Sequence, residues 1–119
     1  MMEAKVTRLY TGPDGESHFD DTGIPIEGDG GIMRRSQLMK ATGVRFSETD
    51  SGYKRDWHNA SPRQLVIMLE GEGEIEVGDG TKHRFGPGNI VLIEDTTGRG
   101  HIFRVVSNQP AKTINVRLG

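Results

Sequence analysis

The sequence predicts an all-β domain built from many short strands. Glycine and proline supply 17 and 5 of the 119 residues, so turns are frequent and long helices find little uninterrupted chain. From Val44 onward, short apolar or alternating runs recur between Gly-rich breaks, the pattern of hairpin-connected strands. A chain of this length suits one core, because dividing it would leave halves too small to bury enough apolar surface.

Taken in order, residues 5–10 read as an edge strand, and residues 11–31, rich in Gly, Pro and Asp, read as irregular surface chain. Residues 33–41 (MRRSQLMKA) show weak helical spacing, but Gly43 follows them and an extended form is favoured. Residues 1–43 are therefore expected to wrap a β core formed by residues 44–119, within the same domain. The apolar run at 64–70 (QLVIMLE) is a central strand. After Gly71 to Gly73 turn the chain, Glu74 and Glu76 alternate with Ile75 and Val77, giving one wet face and one dry face. Asp79-Gly80 suits a two-residue type I′ turn, whose central positions both need positive φ. Residues 81–85 return, Gly86-Pro87-Gly88 breaks the strand, residues 90–93 form a buried strand, and 94–100 (EDTTGRG) form a polar loop. Residues 101–106 and 113–118 close the series, with Ile114, Val116 and Leu118 on one face of the last.

The charge balance excludes several function classes. Fifteen basic and 17 acidic residues give a net charge of −2 with neither sign concentrated, so nucleic acid and membrane surfaces are not expected partners. No cysteine is present, which removes disulfides, thiolate metal sites and Cys nucleophiles together. MMEAKVTRLY has no apolar stretch suited to a signal peptide and no membrane span follows, so a cytoplasmic location is expected. The glycines at 71–73 and 78–80 lack the strand-to-helix setting of a phosphate loop, and Ser47, Ser51 and Ser61 have no nucleophile elbow around them.

Four histidines remain as carriers of chemistry. His83 lies between Lys82 and Arg84 and reads as a solvent-facing strand residue; His18 reads as an exposed loop residue. His58 and His101 differ, because both sit at strand entrances: His58 just before the central strand, and His101 opening a strand after the polar loop. His58, Ala60 and Gln64, followed after six residues by Gly71, resemble the first motif of the cupin superfamily, which has two His spaced HxH, a carboxylate and a glycine. Gly88, five residues, the 94–100 loop and His101 resemble the second motif, with Glu94 where Pro is usual and a loop two residues longer.

The resemblance implies a double-stranded β-helix (jelly-roll) barrel with its ligands inside the mouth. It places His58, Gln64 and His101 as ligands to a divalent metal ion (Zn, Fe, Mn or Ni), with Ala60 where the second His would stand. Gln contributes a neutral amide oxygen in place of a carboxylate, which weakens the hold on a cation. An alternative register uses Asp56 with His58 as the ligand pair. His58, His101 and Asp95 are the candidate catalytic residues. Asp95 has two readings: an Asx-turn that shapes the loop, or a carboxylate that orients the His101 imidazole or acts as a base. Tyr53, Trp57, Ala60, Met68 and Phe103 are candidate pocket residues. The expected function is a metal-dependent enzyme acting on a small organic substrate; a non-catalytic small-molecule-binding protein or a metal-independent isomerase or epimerase is the alternative. A homodimer is expected, as an unpaired edge strand needs cover.

Overall fold

The computed structural model describes residues 2–28 and 31–119, and among them the regular structure is all strand. An N-terminal hairpin comes first, β1 (Met2–Thr11) and β2 (Ser17–Gly28), followed by a two-residue strand, β3 (Arg34–Arg35). Eight further strands follow: β4 (Gly43–Thr49), β5 (Lys54–His58), β6 (Gln64–Glu70), β7 (Gly73–Glu76), β8 (Lys82–Phe85), β9 (Ile90–Ile93), β10 (His101–Val105) and β11 (Ala111–Arg117).

These eight pair as one long nested hairpin. β7 pairs with β8, β6 with β9, β5 with β10 and β4 with β11, all antiparallel. Successive arms alternate between two sheets, ordered β3-β2-β1-β9-β6-β11-β4 and β5-β10-β7-β8. Two strands wound together between facing sheets are a double-stranded β-helix. Period-2 alternation then sends one face of each strand inward. The core between the sheets is Leu9, Met68, Ile75, Val77, Phe85, Val91, Val105 and Ala111. No helix among the described residues is long and apolar enough to cross a membrane.

The N-terminal region departs from expectation. β1 is not an edge: it pairs with β2 over its whole length and lies parallel to β9 through Thr7, Arg8 and Leu9. Leu9 is completely buried, and it is this burial that draws the strand into the sheet. Residues 17–28 are a strand rather than irregular chain, because β1 offers ten consecutive partners to a sequence with little apolar alternation of its own. Residues 29 and 30 lie outside the described residues. Of residues 33–41 only Arg34 and Arg35 are strand, and the rest is neither helix nor strand.

Two local expectations also change. The turn after β7 is not type I′: among the described residues only glycines have positive φ, so Asp79 is not in the left-handed region and Gly80, at 89°, makes the turn through it. Gly80 N–H donates to the Val77 carbonyl at 3.0 Å, and Asp79 Oδ1 accepts from Thr81 N–H at 2.9 Å. Nor is the Glu74 face of β7 wet. Glu74 is buried and paired with Arg84 and Arg104, and Arg104 also reaches Glu76 at 2.8 Å.

Candidate functional site

The inward faces of the two sheets enclose a chamber of about 630 Å³. Its floor is apolar, with Met68, Ile75, Phe85 and Val91, and polar side chains spaced along β4 and β11 line another part of it. β4 and β5, joined by the short 50–53 turn, are sheet edges on one side of it.

The nested pairing brings the two motif histidines together. His58 at the end of β5 and His101 at the start of β10 are direct cross-strand partners, with ring centroids 4.3 Å apart. Gly100 permits this approach: at φ 81° it needs no Cβ, and the His58 carbonyl occupies the space a Cβ would take. Each ring has one nitrogen committed. His58 Nδ1 donates to the Asp56 carbonyl at 2.8 Å, and His101 Nδ1 donates to Asp95 Oδ2 at 2.6 Å. A carbonyl and a carboxylate only accept, so in the neutral rings the proton sits on Nδ1 and the Nε2 lone pair is left free. Burial depresses the His58 pKa below its ordinary 6.5, the bond to the Asp56 carbonyl opposing and the charges of His101 and Arg55 reinforcing the fall.

Asp95 is fully buried behind His101, and its Oδ2 also accepts from Ser17 Oγ at 2.7 Å. No Asx-turn forms: Asp95 Oδ2 is taken by Ser17 Oγ and His101 Nδ1, and neither carboxylate oxygen accepts from the backbone N–H two residues on. Asp95 Oδ1 is buried with no hydrogen-bond partner. Next to it, Glu94 bonds Arg8 at 2.6 Å and Arg63 at 2.9 Å. Burial raises the Glu94 pKa, but these two arginines outweigh it and hold the group below its ordinary 4.5.

Tyr53, Ala60, Gln64, Met68 and Phe103 line the chamber. Gln64 Oε1 accepts from Asn115 Nδ2 at 3.1 Å. Trp57 does not line it: the β5–β10 register shifts between His101 and Phe103, so Arg55 and His58, three residues apart, both line the chamber while Trp57 does not, and the Arg99 guanidinium covers its ring at 4.0 Å. Asp56 also stays outside, accepting from Trp57 N–H at 3.0 Å. Among the described residues no group of three or more His, Asp or Glu side chains is placed to share an ion. His18 is on β2, not in a loop, and pairs with Asp14 at 3.0 Å. His83 is half-buried rather than solvent-facing, stacked on Phe85 and tilted against Phe19.

Sequence reasoning missed Ser17, Arg45, Arg55, Asn115 and Arg117. Arg45, Asn115 and Arg117 stand at alternate strand positions whose neighbours, Val44, Phe46, Ile114 and Val116, face out. The apolar periodicity was legible; which face it presents to the chamber is decided by the pairing of β4 with β11.

Residues 46–117 match the family model of the cupin domain. No curated protein matches the sequence. Among solved structures, BH2720 from Bacillus halodurans aligns at 19% identity and a TM-score of 0.48, over 62% of this chain and 61% of that one, so the chain spans about three fifths of its length. The conserved SPY1581 protein of unknown function from Streptococcus pyogenes aligns at 18% identity and 0.49, over 69% of each chain. A de novo designed double-stranded β-helix aligns at 24% identity and 0.46, over 63% of this chain and 97% of the design. Because the family match takes in more than half of the sequence, from β4 through both histidines to the end of β11, the chain belongs to the cupin family.

Proposed function

We propose that this cupin binds a small organic molecule in the chamber and transfers a proton at it, with His101 as the base and His58 beside it. The observation that carries the reading is the buried chain Ser17–Asp95–His101, which ends in a free Nε2 on a residue lining the chamber. A carboxylate behind an imidazole fixes its tautomer and stabilises the cation formed when it accepts a proton. The test is exchange of carbon-bound hydrogen with D2O across a panel of small carbonyl acids. Wild-type protein should catalyse exchange in at least one, and His101→Gln should lose it; the same exchange in both proteins sinks the assignment.

A second reading, a metal held by His58, His101 and Gln64, is favoured by the two free Nε2 atoms, each with its ring fixed through Nδ1. The donor chemistry weighs against it. The chamber lining holds no carboxylate, Gln64 already accepts from Asn115, and three arginines line the same chamber; catalytic zinc normally takes three protein ligands. Near-stoichiometric Zn, Fe, Mn or Ni in purified protein would reverse the preference. Under that reading Ala60→His, at a buried lining position, should tighten zinc by about tenfold, or ~1.4 kcal/mol, in chelator competition.

The homodimer belongs to this proposal too, and its support is a sheet face rather than an edge strand. The outer face of β4, β11, β6 and β9 carries two adjacent apolar rows: Phe46, Ile114, Ile67 and Ile90, then Val44, Val116, Leu65 and Leu92. An uncovered apolar face of this kind favours a second copy. The lack of cysteine suits a cytoplasmic setting.

A further inference from the structure

We infer that the chamber is built for a small organic acid, whose carboxylate sits among Arg45, Arg55 and Arg117 while its apolar body points toward Met68 and Phe103. The inference rests on the chamber being a small-molecule site, and it does not depend on proton transfer there.

The charge lining the chamber is one-sided. The chain has 17 acidic residues, yet none lines this space, whereas Arg45, Arg55 and Arg117 all do. Five arginines elsewhere are matched, Arg8 and Arg63 to Glu94, Arg84 and Arg104 to Glu74, and Arg99 to Glu16, while Arg34 and Arg35 are exposed to solvent on β3. The three chamber arginines have no carboxylate partner among the described residues. In a protein of net charge −2, three unmatched guanidinium groups facing one space call for an anion from outside.

Strand register sets their arrangement. Arg45 on β4 is directly opposite Asn115 on β11, and Arg117 is two residues further along the same face. That makes Arg45 and Arg117 a diagonal pair, with backbones about 7–8 Å apart, close enough for two long side chains to meet one ligand. Arg55 comes from β5, in the opposing sheet. Asn115, held by Gln64 and Thr113, stands between them as a neutral polar contact.

The anion's class follows from the same parts. A guanidinium presents parallel N–H donors that match the two oxygens of a carboxylate. Phosphate sites commonly add a helix N-terminus or a glycine nest, and the described residues contain no helix while the chamber lining has a single glycine, Gly73. The apolar floor offers nothing to a second phosphate and suits a hydrocarbon or aromatic body.

The experiment is an NMR titration of the full chain at low ionic strength with benzoate and succinate, their neutral amides, and inorganic phosphate. We expect an acid to saturate where its amide does not. Arg45→Gln and Arg117→Gln should each weaken the acid by about tenfold or more, Arg45→Lys less, since both positions are exposed and the fold should hold. Equal binding of acid and amide, no saturation by either acid at about 10 mM, or undiminished acid binding in the Arg45→Gln/Arg117→Gln double variant would each overturn the inference. Tighter binding of phosphate than of either acid overturns the carboxylate assignment. Arginine-dependent binding without hydrogen exchange at any acid would leave this inference standing and remove the proton-transfer reading.

Discussion

One oxygen of Asp95 receives two donors, Ser17 Oγ–H and His101 Nδ1–H, in a place with no solvent. Ser17→Ala removes one donor from a buried carboxylate, so it should cost about 1–3 kcal/mol in urea denaturation and shift the His101 imidazole resonances. Asp95→Asn keeps the shape but can present N–H to the ring, which favours the other tautomer and turns N–H toward the substrate; any hydrogen exchange should fall by about a hundredfold or more, read by the D2O assay. His58 gives a pH signature of its own. Its folded pKa lies below 6.5, so between the two values the unfolded chain binds a proton that the folded chain refuses. Stability therefore rises with pH through that window and falls as pH drops through 6.5, and His58→Gln should flatten this slope in denaturation midpoints. His58, Gln64 and His101 were legible because motif spacing is local. Ser17 was not, since it meets Asp95 across 78 positions with no pattern to announce it.

At the scale of elements, the runs at 64–70 and 90–93 matched β6 and β9 to the residue, because each is a continuous apolar run ended by turn residues or a polar loop. β2 was missed because its partner, not its composition, makes it a strand. β4 and β11 show a different limit: alternation is plain in both, yet their polar residues face the chamber and their apolar residues face out. Glu94 ties elements together, taking Arg8 from β1 and Arg63 from the approach to β6. Its pKa is depressed, so the stability it adds is present above pH 4.5 and is lost as pH falls through the folded value. Glu94→Gln should remove that acid-dependent part, visible as a smaller difference in thermal midpoint between neutral and acidic buffer.

For the whole molecule, the two apolar rows on the outer sheet set the test of assembly. Light scattering should give about twice 13.1 kDa, and Phe46→Lys, at a position 76% exposed in the single chain, should return the monomer mass without unfolding it. A wild-type mass of one chain at micromolar concentration would reject the dimer. The nested hairpin was legible only through the resemblance, since antiparallel partners such as β4 and β11 lie at opposite ends of the core sequence. Ser17 lies outside the 46–117 stretch that defines the family. A minimal barrel grafted from that stretch would carry His58, Asp95 and His101, but would strand a buried carboxylate with a single donor. Transplanting this chemistry into another scaffold therefore means transplanting the β1–β2 hairpin as well, or engineering a new hydroxyl where Ser17 now reaches in.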